Sequence, residues 1–258
     1  MRFASIGSGS EGNALVVEAG ATRLLLDCGF STLDATRRLA RAGLDPADLA
    51  GIIVTHEHSD HLGGVFPIAR RFGLPVWITH GTFAAARESD PDAGASVDVA
   101  LIHGEAQFEV GDLQVFPYTV PHDAREPVQY VISDGARRLA VLTDTGSSTP
   151  RIEAMLSGCE ALVLEANHDL EMLRRGGYPP ALQARIAGRF GHLDNATAGR
   201  ILSAIDQRRL RHVVAAHLSK QNNSPELARA AFAAALGCEA NWIAVASQDE
   251  GFGWREIG

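Results

Sequence analysis

"THEHSDHLGG", residues 55–64, decides the reading of this chain. His56, His58, Asp60 and His61 fall within six residues. An apolar run, "GIIV" at 51–54, precedes them, and a segment of helical character follows from Leu62. A strand that ends in such a turn delivers several ligand-type side chains to one edge of a sheet. His56 and His58 are two apart, so in extended backbone they point the same way. Asp60 and His61 come where the chain turns toward the helix, and they face the same cavity from its other side. Imidazole nitrogen suits Zn, Fe, Ni and Cu, and carboxylate oxygen suits harder cations such as Mn. Four such groups at this spacing can feed two adjacent ions rather than one.

Two ions need further ligands, and other strand ends are the place to find them. His122 follows "VFPYTVP", Asp144 follows "LAVLT" and His217 follows "VVAA". Each stands where an apolar, strand-like run stops.

The rest of the chain is organised around the same edge. Strands are expected at 2–7, 14–20 and 22–29, separated by Gly-rich turns as in an antiparallel meander. A helix over 31–44 is capped by Ser31 or Thr32 and ended by Gly43. Strand 51–55, a helix through 62–73, strand 75–80 and helix 82–89 alternate. The middle is strand-rich: 106–110 and 113–120 flank a turn at Gly111 and Asp112, a hairpin signal. A second pair is expected at 127–135 and 137–144. Alternation then resumes with helix 149–157, strand 161–166, helices across 168–190 and 195–208, strand 212–217, helix 224–236, strand 242–248 and a last strand-like run at 251–258. Strands in both halves, interleaved with helices, predict an α/β protein of two sheets packed face to face with helices outside. No linker or charge run divides the chain, so residues 1–258 are expected to form one domain.

Bulk properties narrow the function. Hydrophobic residues make up 46% and charged residues 21%, as in a soluble globular enzyme rather than a disordered chain. No window of some 18 apolar residues is present, so no transmembrane helix is expected. The first residues, "MRFASIGSGSEG", lack the apolar core of a signal peptide. Cys28, Cys159 and Cys238 form no CxxC pair, so neither a disulfide framework nor a Cys-rich zinc site is expected. These features fit a cytoplasmic protein with free thiols. The net charge of −8 disfavours a broad basic nucleic-acid face, although bound cations can reverse the local field. The clusters at 70–71, 173–175 and 208–212 read as solvated helix faces.

"THEHSDH" resembles the HxHxDH signature of the metallo-β-lactamase fold. The resemblance implies a four-layer αββα sandwich. It implies that His56, His58 and His122 hold one ion and that Asp60, His61 and His217 hold a second, with Asp144 bridging. Asp27, in "LLLDCG", resembles the early aspartate that orients the histidine turn. Two divalent ions are implied, Zn first and Mn or Fe second. Position 144 is Asp rather than Cys, which turns the reading away from antibiotic hydrolysis. Two ions about 3.5–4 Å apart suit displacement at phosphorus, since they stabilise both the attacking and the leaving oxygen.

"VLEANHD" and "GHLDNATAGRI" resemble segments of the tRNA 3′-processing nucleases, in which a Glu–His pair protonates the leaving oxygen. Glu165 and His192 hold those places, and with Asp60 they are the candidate catalytic residues. "SIGSGSEGNALVVEA", "VTHEHSDH", "EANHDLEML" and "AAHLSKQNN" resemble, in order, the WalJ/YycJ-type family of DNA exonucleases. That resemblance implies a 5′-to-3′ DNA exonuclease in which a hydroxide held between the ions attacks phosphorus. The loop "GSGSEGN", with Ser8, Ser10 and Asn13, is a candidate phosphate cradle. His168 and Lys220, the only lysine, are further candidate substrate contacts. The competing expectation is a thioester or lactone hydrolase of the glyoxalase II type, which the same seven ligands would serve. A third, metal-binding without catalysis, leaves the Glu165–His192 pair unexplained.

Overall fold

The apolar runs become strands because both faces of each sheet are covered. The computed structural model describes residues 1–258. The first half contains β1 (Arg2–Gly7), β2 (Ala14–Ala19), β3 (Thr22–Leu26), α1 (Thr32–Arg41), β4 (Gly51–Ile53), α2 (Ser59–Leu62), α3 (Val65–Phe72), β5 (Val76–Thr79), α4 (His80–Ser89) and β6 (Val99–Ile102). The second contains β7 (Phe108–Val110), β8 (Leu113–Thr119), β9 (Val128–Ser133), β10 (Arg138–Leu142), α5 (Pro150–Leu156), β11 (Ala161–Glu165), α6 (Leu170–Arg175), α7 (Pro180–Ile186), α8 (Asn195–Ala204), β12 (His212–Ala216), α9 (Pro225–Leu236), β13 (Ala244–Val245) and β14 (Phe252–Glu256).

Two seven-stranded sheets result, ordered β14-β1-β2-β3-β4-β5-β6 and β13-β12-β11-β10-β9-β8-β7. Three apolar layers glue them. Phe3, Val17, Leu24, Tyr130, Val141 and Val214 belong to the layer between the sheets. Leu39, Ile68 and Val76 anchor helices of the first half to the outer face of its sheet. Phe232, Leu202 and Leu162 do the same in the second half. The architecture is therefore the expected αββα sandwich. Tyr118 and Tyr130 are fully buried, and their hydroxyls donate to the carbonyls of Val141 and Val54 at 2.6 Å, so neither polar atom is stranded in the core.

Each sheet changes from antiparallel to parallel pairing at its central strand. β3 pairs antiparallel with β2 and parallel with β4. β10 pairs antiparallel with β9 and parallel with β11. In open α/β sheets, ligands bind beyond the carboxyl ends of strands at such switch points. Asp27 follows β3 and Asp144 follows β10 at these positions.

Several element boundaries differ from the sequence expectation. The strand expected to reach residue 80 stops at Thr79, because the Thr79 hydroxyl accepts from the Thr82 amide and caps α4. The helices expected across 168–190 are α6 and α7, separated by Gly176, Gly177 and the Pro179–Pro180 pair and ending at Ile186 rather than 190. α8 ends at Ala204 rather than 208, where Ile205 turns extended. The strand expected at 242–248 shrinks to two residues beside a 3-10 turn. β6 was not expected. It is an edge strand with no fully buried residue, so it lacks a strong apolar pattern.

Candidate metal centre

The side chains of the site come from the carboxyl ends of six strands. Asp27 follows β3, His56 follows β4 after two residues, and His122 comes three residues after β8. Asp144 comes two residues after β10, Glu165 ends β11 and His217 follows β12. Asp27, Asp144 and His217 all have left-handed backbone, with φ of 59°, 52° and 56°. Such φ values are uncommon away from glycine, and non-glycine examples cluster at functional sites. Here the reversal turns each strand end back toward the common cavity.

The histidine turn is laced to two neighbouring segments by backbone bonds. The Cys28 amide donates to the His61 carbonyl at 2.8 Å, and the Gly64 amide donates to the Cys28 carbonyl at 2.7 Å. The Asn13 amide donates to the Asp60 carbonyl at 2.8 Å. The approach is so close that a Cβ on Gly29 would lie 1.9 Å from the Asp60 oxygen, and one on Gly64 1.7 Å from the Phe30 oxygen. Glycine is required at both positions by space.

Outer hydrogen bonds orient the rings. Asp27 Oδ2 accepts from His61 Nδ1 at 2.8 Å and from the Thr55 hydroxyl at 2.7 Å, while its Oδ1 accepts from the Thr55 amide. His56 Nδ1 lies 3.0 Å from Thr55 Oγ1. His122 Nδ1 donates to the Gly191 carbonyl at 3.1 Å. With Nδ1 occupied, each of these three rings presents the Nε2 lone pair to the centre. His58 instead turns Nδ1 inward, 3.2 Å from His122 Nε2.

The seven candidate ligands are brought together. His56, His58 and His122 form one cluster of facing donor atoms, Asp60, His61 and His217 form another, and His56, His61 and Asp144 form a third between them. Asp144 Oδ2 lies 3.0 Å from His61 Nε2, and its Oδ1 lies 3.5 Å from His217 Nε2. His56 Nε2 and Asp144 Oδ2 are buried without a hydrogen-bond partner, which is costly unless something else satisfies them. Asp27, Asp60, Asp144 and Glu165 find only histidines as ion-pair partners. Burial opposes ionisation of Asp144, yet the surrounding His217 and His61 hold it well below the usual carboxylate range. Burial likewise opposes the charge on His217, but Asp144 and its neighbours push that imidazole up to about 10. Buried carboxylates at this density need positive charge, and divalent cations fit the donor set.

Glu165 is fully buried. Its Oε1 lies 2.7 Å from His192 Nδ1, and its Oε2 accepts from the amides of Thr145 and Leu193 at 3.0 and 3.2 Å. Burial works against a charged His192, but the Glu165 carboxylate outweighs it and raises the imidazole. Burial would likewise raise Glu165, but His192 pulls it down to about 2. His192 Nδ1 is also 3.5 Å from Asp144 Oδ1, so the pair adjoins the cluster. His192 lines a cavity of about 300 Å³ together with His58, Asp60, Asp144 and His217.

The remaining candidates divide. Ser10 lines this cavity. Ser8 Oγ accepts from the His217 amide at 2.9 Å, and Asn13 Nδ2 lies 3.2 Å from Asp60 Oδ2 and 3.0 Å from His61 Nε2. Those two side chains hold ligand candidates in place. Lys220 is bound to Glu11 at 2.7 Å on the exposed rim. His168 is buried against Asn167, its Nε2 without a partner, and does not line the cavity.

Sequence reasoning missed Thr55, Asn167, Asp123 and Arg185. Asn167 Nδ2 donates to the His217 carbonyl at 3.1 Å. Asp123 Oδ1 stands 3.8 Å from His58 Nε2, and its Oδ2 accepts from Arg185 Nε at 2.6 Å. Thr55 and Asp123 directly adjoin His56 and His122, so adjacency to a ligand histidine was the available signal.

The chain is similar to known proteins in sequence and in fold. Residues 22–217 match the model of the beta-lactamase superfamily domain. The chain is 37% identical to exodeoxyribonuclease YycJ of Bacillus anthracis, over 89% of this chain and 86% of that one. It is 34% identical to exodeoxyribonuclease WalJ of Streptococcus pneumoniae serotype 2, over 88% and 85%. Among solved structures, the metallo-beta-lactamase fold protein YhfI from Bacillus subtilis superposes with a TM-score of 0.75 over 98% of both chains, at 17% identity. Zn(2+)-bound PqqB from Methylobacterium extorquens gives a TM-score of 0.72 at 19% identity, over 99% of this chain and 100% of that one.

Proposed function

This chain belongs to the beta-lactamase superfamily, and we propose that it is a dinuclear metal-dependent phosphodiesterase that degrades DNA from the 5′ end. The carrying observation is the Glu165–His192 pair, 2.7 Å apart and adjoining a seven-residue ligand cluster. A thioester hydrolase releases a thiolate, which departs without a proton, and has no comparable need of a proton donor. The relatives named exodeoxyribonucleases support DNA as the polymer.

In this reading residues 1–258 act as one catalytic unit. His56, His58 and His122 would hold one ion, Asp60, His61 and His217 the other, and Asp144 both. Such ions, with Zn preferred by the five imidazoles, would supply charge neutralisation at phosphorus and an acidified water. The chain's own residues do the rest. Asp27 and Gly191 fix the tautomers of His61 and His122. Glu165 keeps a proton on His192, which delivers it to the departing oxygen. Asp60 presents its carboxylate at the cavity side of the cluster.

The test is metal-reconstituted protein on 5′- and 3′-labelled single- and double-stranded DNA, with RNA, bis-p-nitrophenyl phosphate and S-lactoylglutathione alongside. Stepwise shortening from the 5′ end is expected. Thioester cleavage without any phosphodiester cleavage would replace the proposal.

A further inference from the structure

Glu165, His192 and His217 reach the centre on three separate stretches: the end of β11, the approach to α8 and the exit from β12. Backbone bonds lace these stretches together. The Asn167 amide donates to the Leu193 carbonyl at 3.0 Å, the Ser219 amide to the Asn167 carbonyl at 2.8 Å, and the Asn195 amide to the His168 carbonyl at 2.9 Å. One side-chain tie crosses all three. Asn195 Nδ2 donates to Asn223 Oδ1, and Asn223 Nδ2 donates to Asn195 Oδ1, each at 2.9 Å. Asn223 Nδ2 also donates to the carbonyl of Ala166, the residue after Glu165, at 2.7 Å.

Helix capping does not explain these two amides. Asp194 caps α8 by accepting from the Ala196 and Thr197 amides, and Ser224 caps α9 by accepting from the Leu227 amide. Each asparagine stands beside a cap and is not one. Both are buried, where an amide without partners is costly. The two satisfy each other face to face. From this contact α8 and α9 run side by side, close enough that a Cβ on Gly199 would lie 3.4 Å from the Ala231 carbonyl oxygen. A slide of one helix along the other would part the amides.

The tie lies close to the chemistry. His192 stands three residues before Asn195, and His217 stands six before Asn223. Their rings stack with centroids 5.3 Å apart and planes 26° from parallel. Glu165 holds the His192 segment at two points, through the ring nitrogen Nδ1 and through the Leu193 amide.

We infer that the Asn195–Asn223 clasp is the positioning device of the proton donor. It locks the His192 segment onto the segments of Glu165 and His217, so that Nδ1 stays on the carboxylate and Nε2 is the atom that donates. This rests on the phosphodiesterase reading above and deepens it with two positioning residues that touch no substrate.

The experiment uses the full-length, metal-loaded protein. Asn195→Ala and Asn195→Leu both lack the amide and differ in volume, so an effect common to both belongs to the amide. On DNA, kcat should fall about 10- to 100-fold, the scale set by a misplaced catalytic group. On bis-p-nitrophenyl phosphate, whose leaving group needs no proton, it should fall much less, with bound metal unchanged. In a His192→Ala background the same substitutions should cost no more than about 2-fold on DNA, because a device acting through His192 has nothing left to place. Hydrogen exchange gives a readout free of turnover. The Leu193 amide should exchange about 10-fold faster in both variants, while β1–β3 keep the wild-type rate. Equal losses on the two substrates, losses that add in the His192→Ala background, protection lost across β1–β3 as well, or unchanged exchange at Leu193 would each overturn the clasp. A wild-type protein that cleaves no DNA, with Leu193 exchange still raised in both variants, would instead overturn the nuclease reading and leave the clasp standing as the tie that holds His192.

Discussion

Replacing Glu165 by Gln separates proton delivery from the other work of the site. The carboxylate accepts from His192 Nδ1, from the Thr145 amide and from the Leu193 amide. A glutamine has one acceptor oxygen. Its NH2 must therefore oppose either the two backbone amides or His192. The cheaper arrangement keeps the amides satisfied and points NH2 at His192, which becomes neutral with Nδ1 as acceptor. The fold survives that exchange, at a cost of about 1–3 kcal/mol for the lost charged bond. The chemistry does not, because a positioned proton donor contributes about 10²–10⁴-fold. On DNA, kcat should fall by at least about 100-fold. On bis-p-nitrophenyl phosphate the loss should be much smaller, because p-nitrophenolate departs without a proton.

The pH profile gives the sign. A proton donor works while protonated, so activity falls as pH rises through its pKa. Glu165 raises that pKa in the native protein, so Glu165→Gln should shift the basic limb toward lower pH. The assay is kcat against pH on both substrates, with bound metal measured in parallel. Equal losses on the two substrates at full metal content would refute the argument and move the role of Glu165 to His217, 3.4 Å away.

Other perturbations test the frame of the site. Asp27→Asn puts an amide donor opposite His61 Nδ1, and metal affinity should fall about 10- to 100-fold in chelator competition. Gly29→Ala forces a methyl onto the Asp60 carbonyl and should cost about 1–3 kcal/mol or more in denaturant unfolding, with reduced metal content. Lys220→Ala should raise KM for a phosphodiester without loss of metal; an unchanged KM would assign Lys220 only to its exposed pair with Glu11.

The sandwich was legible because its strands are almost wholly apolar, as sheets covered on both faces must be. The cluster was legible because its histidines and aspartates share one rule, placement just beyond a strand. Parts of the site built by contacts between distant segments were not. Asp123 and Arg185 are 62 residues apart and carry no motif. The edge strand β6 escaped because pairing, not pattern, defines it.

The left-handed turns at Asp27, Asp144 and His217 set the interests of folding and of chemistry against each other. Each asks a side chain with a Cβ to hold a shape that glycine adopts freely, at about 1–3 kcal/mol apiece. A glycine at any of them would relax the loop and harden the ion-free protein against heat while disabling its centre. Random searches for thermal tolerance should therefore gather inactive survivors at these three addresses.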